Sequence, residues 1–294
     1  MTRSLVWTCV LAAAVVHAQQ GPPQPTFRAV AESVLLPVAV TQNGRPVRDL
    51  VAADFEVLDN GVPQRVDVAA LEALPLDVTV LTDISGSITA EAQRRFDADL
   101  QAVAASLPQA DRLRVIGFGH HLVELSEWAP AGTPERRASA PGGSGTSLYD
   151  ALAAALLTPG AHGRPHLVVG FTDGRDTTSL LGVDDVAALA EHTLATLFVS
   201  IVRTQEPFRP AMVPWTGTLD LRRLRTVVGR TGGEVLAQND ADARAQVFQR
   251  ILTQYRTMYL LRFTPTGVER GGWHTLTVRV PAHEYRVTAR PGYR

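Results

Sequence analysis

Between residues 75 and 255 the chain alternates two hydrophobic periods, and this alternation limits the fold more than any other feature. Residues 76–81, 113–118, 167–171 and 197–202 are short runs in which nearly every position is apolar. Segments with apolar residues three and four apart separate them. These are Phe96, Leu100, Val103 and Leu107; Leu148, Leu152, Ala155 and Leu156; Val186 and Leu189; Leu221, Leu224 and Val228; and Val247, Phe248, Ile251, Leu252 and Tyr255. The first spacing suits strands covered on both faces, the second amphipathic helices. Strand and helix in alternation predict an α/β fold, a doubly wound, mostly parallel sheet flanked by helices. Thr89 stands where a hydroxyl can cap the first helix, with Glu91 at the positive end of its dipole.

The flanks follow another rule. Val34, Leu36, Val38 and Val40 alternate, as do Phe55 and Val57, and Asn43-Gly44 and Asn60-Gly61 supply tight turns. The tail is again strand-like over residues 258–263, 275–280 and 285–289. Each flank is too small to fold alone. The expected organisation is an N-terminal β segment (27–71), the α/β unit (75–255) and a C-terminal β segment (256–294), the two flanks pairing into one small β-domain.

Residues 1–18 have the form of a secretory signal peptide. Arg3 gives a positive start, an apolar stretch follows, and Val16-His17-Ala18 is an acceptable cleavage site. A Pro- and Gln-rich linker (19–26) comes next. The only Cys, Cys9, falls inside the apolar stretch, so the mature chain has none and no disulfide. These features point to a secreted or periplasmic protein with no membrane span after cleavage. The net charge is −1, and all 28 basic residues are Arg. There is no basic excess or stripe of the kind nucleic-acid binding needs.

Five residues stand apart: Asp83, Ser85 and Ser87 in Asp-Ile-Ser-Gly-Ser, Thr146 after a Gly-rich loop, and Asp173 in Phe-Thr-Asp-Gly. The two acids close strands, and the hydroxyls lie on turns or at helix starts. All five fall at the carboxyl end of the expected sheet, where open α/β sheets bind ligands. An all-oxygen set with no Cys or His suits a hard cation, Mg²⁺, with Mn²⁺ or Ca²⁺ as substitutes. Two acids and three neutral hydroxyls leave such an ion electrophilic, with a position open to an outside carboxylate.

Asp83-x-Ser85-x-Ser87, then Thr146, then Asp173 resembles the metal-ion-dependent adhesion site of von Willebrand factor A domains. The stretches 145–151 and 172–174 are similar to that family too. Asp54-Phe55-Glu56-Val57, Asp59-Asn60-Gly61 and Ala289-Arg290-Pro291-Gly292-Tyr293 resemble a secreted bacterial, acidobacterial-type subfamily. The resemblance implies a non-enzymatic module that binds a protein ligand. Ser85, Ser87 and Thr146 would approach the metal through hydroxyls, Asp83 and Asp173 directly or through water. A Glu or Asp of the partner would fill the open position.

Two other classes compete. A structural cell-envelope component would not need five intact ligands. A hydrolase would need an acid and base with defined roles. The stretch Gly142-Gly143-Ser144-Gly145-Thr146 only approximates a nucleophile elbow, because Thr stands at its last position. Singly, each residue has a plainer reading: Ser87 or Thr146 as a helix cap, Asp83 as a strand end, Asp150 in a local hydrogen bond, Asp176 and Thr177 in a surface turn, His120-His121 in a solvated turn. The long Pro-containing loop 204–218, with Phe208, Met212 and Trp215, is expected to help shape the partner surface.

Overall fold

The computed structural model describes residues 33–85, 90–132, 145–161, 163–202, 221–238, 244–281 and 284–294. The expected signal peptide (1–18) and linker (19–26), Ser87, Thr89, Ser144 and the stretch 204–218 lie outside the described residues. All described residues belong to one compact unit, 32–294.

The N-terminal strands are β1 (Val34–Gln42), β2 (Arg45–Pro46), β3 (Glu56–Asp59), β4 (Val62–Gln64) and β5 (Asp67–Ala70). The α/β part runs β6 (Asp77–Asp83), α1 (Ala90–Ser106), β7 (Arg112–Phe118), β8 (Leu122–Pro130), α2 (Leu148–Leu157), β9 (His166–Thr172), α3 (Val183–His192), β10 (Thr196–Val202), α4 (Leu221–Arg230), β11 (Val235–Gln238) and α5 (Arg244–Arg256). The tail adds β12 (Tyr259–Phe263), β13 (His274–Arg279), β14 (Arg286–Ala289) and β15 (Gly292–Tyr293).

The central sheet has the order β11-β10-β9-β6-β7-β8. Its first five strands are parallel and β8 is antiparallel at the edge. β8 is not among the elements expected from the sequence. As an edge strand it interleaves charged residues with apolar ones and pairs with β7 through register shifts, so no apolar run marks it. Every residue of β9 is buried, as a strand covered on both faces requires. One face carries a core with α1 and α5, including Val78, Val80, Val103, Phe248 and Tyr255; the other packs Leu81, Phe118, Val168 and Val199 on α2, α3 and α4. Fully burying side chains of this size contributes roughly 1.5–3 kcal/mol each. The core therefore carries most of the stability of the described residues, among which there is no cysteine.

The flanks pair with each other. β1 lies between β12 and β14, and β13 pairs with β3. The resulting five- and four-stranded sheets enclose a third core around Leu36, Val38, Val57, Leu261 and Phe263. Asn43-Gly44 and Asn60-Gly61 form the two-residue turns joining β1 to β2 and β3 to β4. Both residues of each turn have positive φ, between 47° and 82°, which explains the Asn-Gly sequences. The distant motifs at 59 and 289–293 meet in space. The Tyr293 hydroxyl donates to Asp59 Oδ2 at 2.7 Å, and His274 Nδ1 lies 2.8 Å from Asp59 Oδ1. The buried Arg290 guanidinium donates to the carbonyls of Ala190 and Thr193 at the end of α3, tying the tail to the α/β core. Cations are favoured at a helix C-terminus.

Candidate metal centre

The chain folds Asp83 and Asp173 onto neighbouring strand ends because β6 and β9 are adjacent and in register, Thr82 opposite Phe171. Asp83 ends β6. Its Oδ1 accepts from the Ser85 amide at 2.9 Å and from the Ser85 hydroxyl at 2.5 Å; its Oδ2 accepts weakly from Thr172 Oγ1 at 3.4 Å. Ser85 thus spends its proton on Asp83 and keeps its oxygen lone pairs available to a cation. Asp173 follows β9. Its Oδ1 accepts from the Arg175 amide at 2.9 Å, and its Oδ2 lies 3.7 Å from the half-exposed Arg175 guanidinium.

Burial pushes the Asp83 carboxyl up. The two Ser85 donors oppose this, the Asp173 charge adds to it, and the result lies above the ordinary Asp value. Two acids at adjacent strand ends, one of them destabilised as an anion by burial, form an arrangement that a cation would relieve.

Thr146 is buried at the start of α2, and its backbone is held from across the crevice. Its amide donates to Thr177 Oγ1 at 2.9 Å, and its carbonyl accepts from the amides of Thr177 and Thr178. It does not cap α2. Ser147 holds that position without a capping bond, its hydroxyl 2.9 Å from Thr178 Oγ1 and donating to the His120 carbonyl. The plain reading of Asp150 gives way, whereas Asp176 closes a local turn on Ser179 and adds one distant bond. Asp150 reaches about thirty residues along the chain, accepting from the amides of Leu180 and Leu181 at 2.9 Å. Asp176 accepts from the Ser179 hydroxyl and from the Tyr149 amide.

Gly119 brings the loops together. A Cβ there would stand 3.5 Å from the Gly145 carbonyl and 3.6 Å from Ser85 Cα. The turns after β6 and β7 and the approach to α2 therefore form one crevice. Asp83, Ser85, Thr146 and Asp173 are all placed around it, while Ser87 lies outside the described residues. Among the described residues no three His, Cys, Asp or Glu side chains cluster. Thr172, Thr178 and Gly119, which position these groups, are not among the residues singled out in the sequence, and Thr177, read there only as a surface-turn residue, also holds the Thr146 amide. Their roles depend on which loops meet, and only the alternation that aims Thr172 hints at one of them.

A family model described as "VWA-like domain (DUF2201)" matches residues 78–181, from β6 to the loop after β9. The chain carries a von Willebrand factor A-like domain. The matched stretch includes the four strands β6 to β9 and both acids of the crevice. Among solved structures the chain is similar to the conserved hypothetical protein BatB from Bacteroides thetaiotaomicron, at 15% identity over 61% of this chain and 98% of that one, TM-score 0.41. It is similar to a von Willebrand factor type A protein from Catenulispora acidiphila, at 16% identity over 74% and 52%, TM-score 0.45. It is also similar to proximal thread matrix protein 1 from the mussel byssus, a structure with a zinc-occupied MIDAS motif, at 12% identity over 66% and 49%, TM-score 0.47. A search of curated proteins finds no match. Among the described residues no helix of the A-like domain or its flanks is long and apolar enough to cross a membrane.

Proposed function

We propose that this A-like domain is a metal-dependent protein-binding module, secreted or periplasmic and without enzymatic activity. Asp83, Ser85, Ser87, Thr146 and Asp173 would hold a divalent cation, Mg²⁺ first and Mn²⁺ or Ca²⁺ as substitutes. One observation carries the reading. Asp83 and Asp173 end adjacent strands, and among the described residues Asp83 is held by hydroxyl and amide donors with no arginine. A bound divalent ion would supply an electrophilic position open to a Glu or Asp of a protein partner. Ser85 fixes the Asp83 carboxylate, and the Thr177–Thr178 segment fixes Thr146, so the donors are organised before any ion arrives. That organisation lowers the entropic cost of binding. The leader-like residues 1–18 support export.

Titration calorimetry with MgCl₂ and MnCl₂ tests the reading. Wild type is expected to bind one ion, and Asp83→Ala to give no binding heat. Equal binding by both proteins would sink it.

A further inference from the structure

Beyond the oxygen donors, the turn bordering the crevice carries two imidazoles, of different chemistry. The turn after β7 is closed by the Gly119 amide donating to the His121 carbonyl at 3.1 Å, and the Ser147 hydroxyl holds the His120 carbonyl at 3.3 Å. This turn displays the imidazoles of His120 and His121 edge to face, with centroids 4.5 Å apart and planes at 65°. Both residues are exposed. His120 Nδ1 is turned inward, 3.1 Å from the point where a Gly145 Cβ would sit, and Thr178 Oγ1 lies at the same distance from that point. Among the described residues neither imidazole pairs with a carboxylate, whereas His274 pairs with Asp59.

Two exposed imidazoles on a turn pinned by its backbone are chelating donors whose backbone is already ordered. Imidazole suits borderline ions such as Zn²⁺, Ni²⁺ and Cu²⁺, while carboxylate and hydroxyl oxygens suit Mg²⁺ and Mn²⁺. We propose that His120 and His121 form a transition-metal site of their own, binding Zn²⁺ through one nitrogen of each ring, with water in the remaining positions. Zn–N bonds of about 2.0–2.1 Å place the two nitrogens about 3 Å apart. Reaching that separation requires rotation of two rings whose centroids stand 4.5 Å apart. The site is chemically separate from the oxygen crevice it borders, so it stands or falls independently of the function proposed above.

The test uses the full chain, purified without a polyhistidine tag, and titrates ZnCl₂ and MnCl₂ by calorimetry. Wild type, His120→Ala, His121→Ala, the double variant and Asp83→Ala are compared. Each His variant is expected to weaken Zn²⁺ binding at least tenfold and leave Mn²⁺ binding as in wild type, while Asp83→Ala keeps the His-dependent Zn²⁺ binding. Both rings are exposed, so the variants should fold, and circular dichroism checks this. The proposal is overturned if wild type takes up no Zn²⁺, if the double variant binds it within twofold of wild type, or if Asp83→Ala alone abolishes it. Failure of Mn²⁺ binding in wild type would count against the oxygen site and leave the His site standing.

Discussion

The two ends of the central sheet bury acids in opposite ways. At the amino end Asp77 is fully buried and meets two arginines. Arg112 grips it through Nε at 2.8 Å and Nη2 at 2.5 Å, Arg164 adds a bond at 2.7 Å, and the Ala161 amide adds another at 2.6 Å. Burial pushes this carboxyl up, but the Arg112, Ala161 and Arg164 donors outweigh burial and hold it below the ordinary Asp value. Beside it Asp111 pairs with Arg256, which also donates to the carbonyls of Leu71, Glu72 and Leu74. At the carboxyl end Asp83 shares its crevice with a second acid and lies above its ordinary value. The amino end is a closed structural network. The carboxyl end has unspent negative charge, which is what a cation site looks like before the cation.

The largest effect that would sharpen this contrast is at Asp77. Asp77→Ala leaves two guanidinium groups without their partner. It should cost about 3 kcal/mol, at the low end for a broken buried pair because Arg112 and Arg164 can partly rehydrate. Urea denaturation measures this, and a loss under about 1 kcal/mol would break the contrast. Next is pH. His166, at the amino end of β9, is buried with Nε2 2.9 Å from Thr79 Oγ1, and burial lowers its pKa to about 4 from 6.5. The unfolded chain therefore binds this proton first. The stabilisation is full above about pH 6.5 and is lost as pH falls toward 4, by about 3 kcal/mol. His166→Gln should lose that much less between pH 7.5 and 4 in parallel urea titrations. Coincident pH dependences would remove His166 from the network. The third concerns the metal. At about a hundredfold excess over Kd, Mn²⁺ should stabilise wild type by about 2.7 kcal/mol, a gain reversed by chelator. Asp83→Asn should lose that gain yet stay within about 1 kcal/mol of wild type in chelator, since the amide oxygen still accepts from Ser85. A cost in chelator matching Asp77→Ala would make the two ends alike.

Much of this was legible in the residues. The paired periods gave the doubly wound sheet, and the Asn-Gly pairs gave both hairpin turns. The two acids and the Ser85 and Thr146 hydroxyls fall at strand ends and helix starts by the hydrophobic pattern alone. β8 was not legible, because an edge strand need not be apolar. Neither was the reach of Asp150 to Leu180 and Leu181, because nothing local marks a carboxylate that bonds a loop about thirty residues away. The amino-end network was equally hidden. Asp77, Arg112, Arg164 and His166 look like ordinary polar residues at strand starts until register sets them side by side.

The sequence by itself determined which segments are strands and helices, where the tight turns fall, and which residues could offer oxygen to a cation. Those properties are set by periodicity, backbone sterics and side-chain chemistry, all local. Tertiary structure decided which charges are neutralised and which are left over. Asp77 and Asp83 stand six residues apart on one strand and differ only in what the neighbouring strands and loops bring to them. Arginines meet the first, and a second acid meets the other. Electrostatic energy depends on distance through space and on burial, so the fold had to form before one acid could be told from the other.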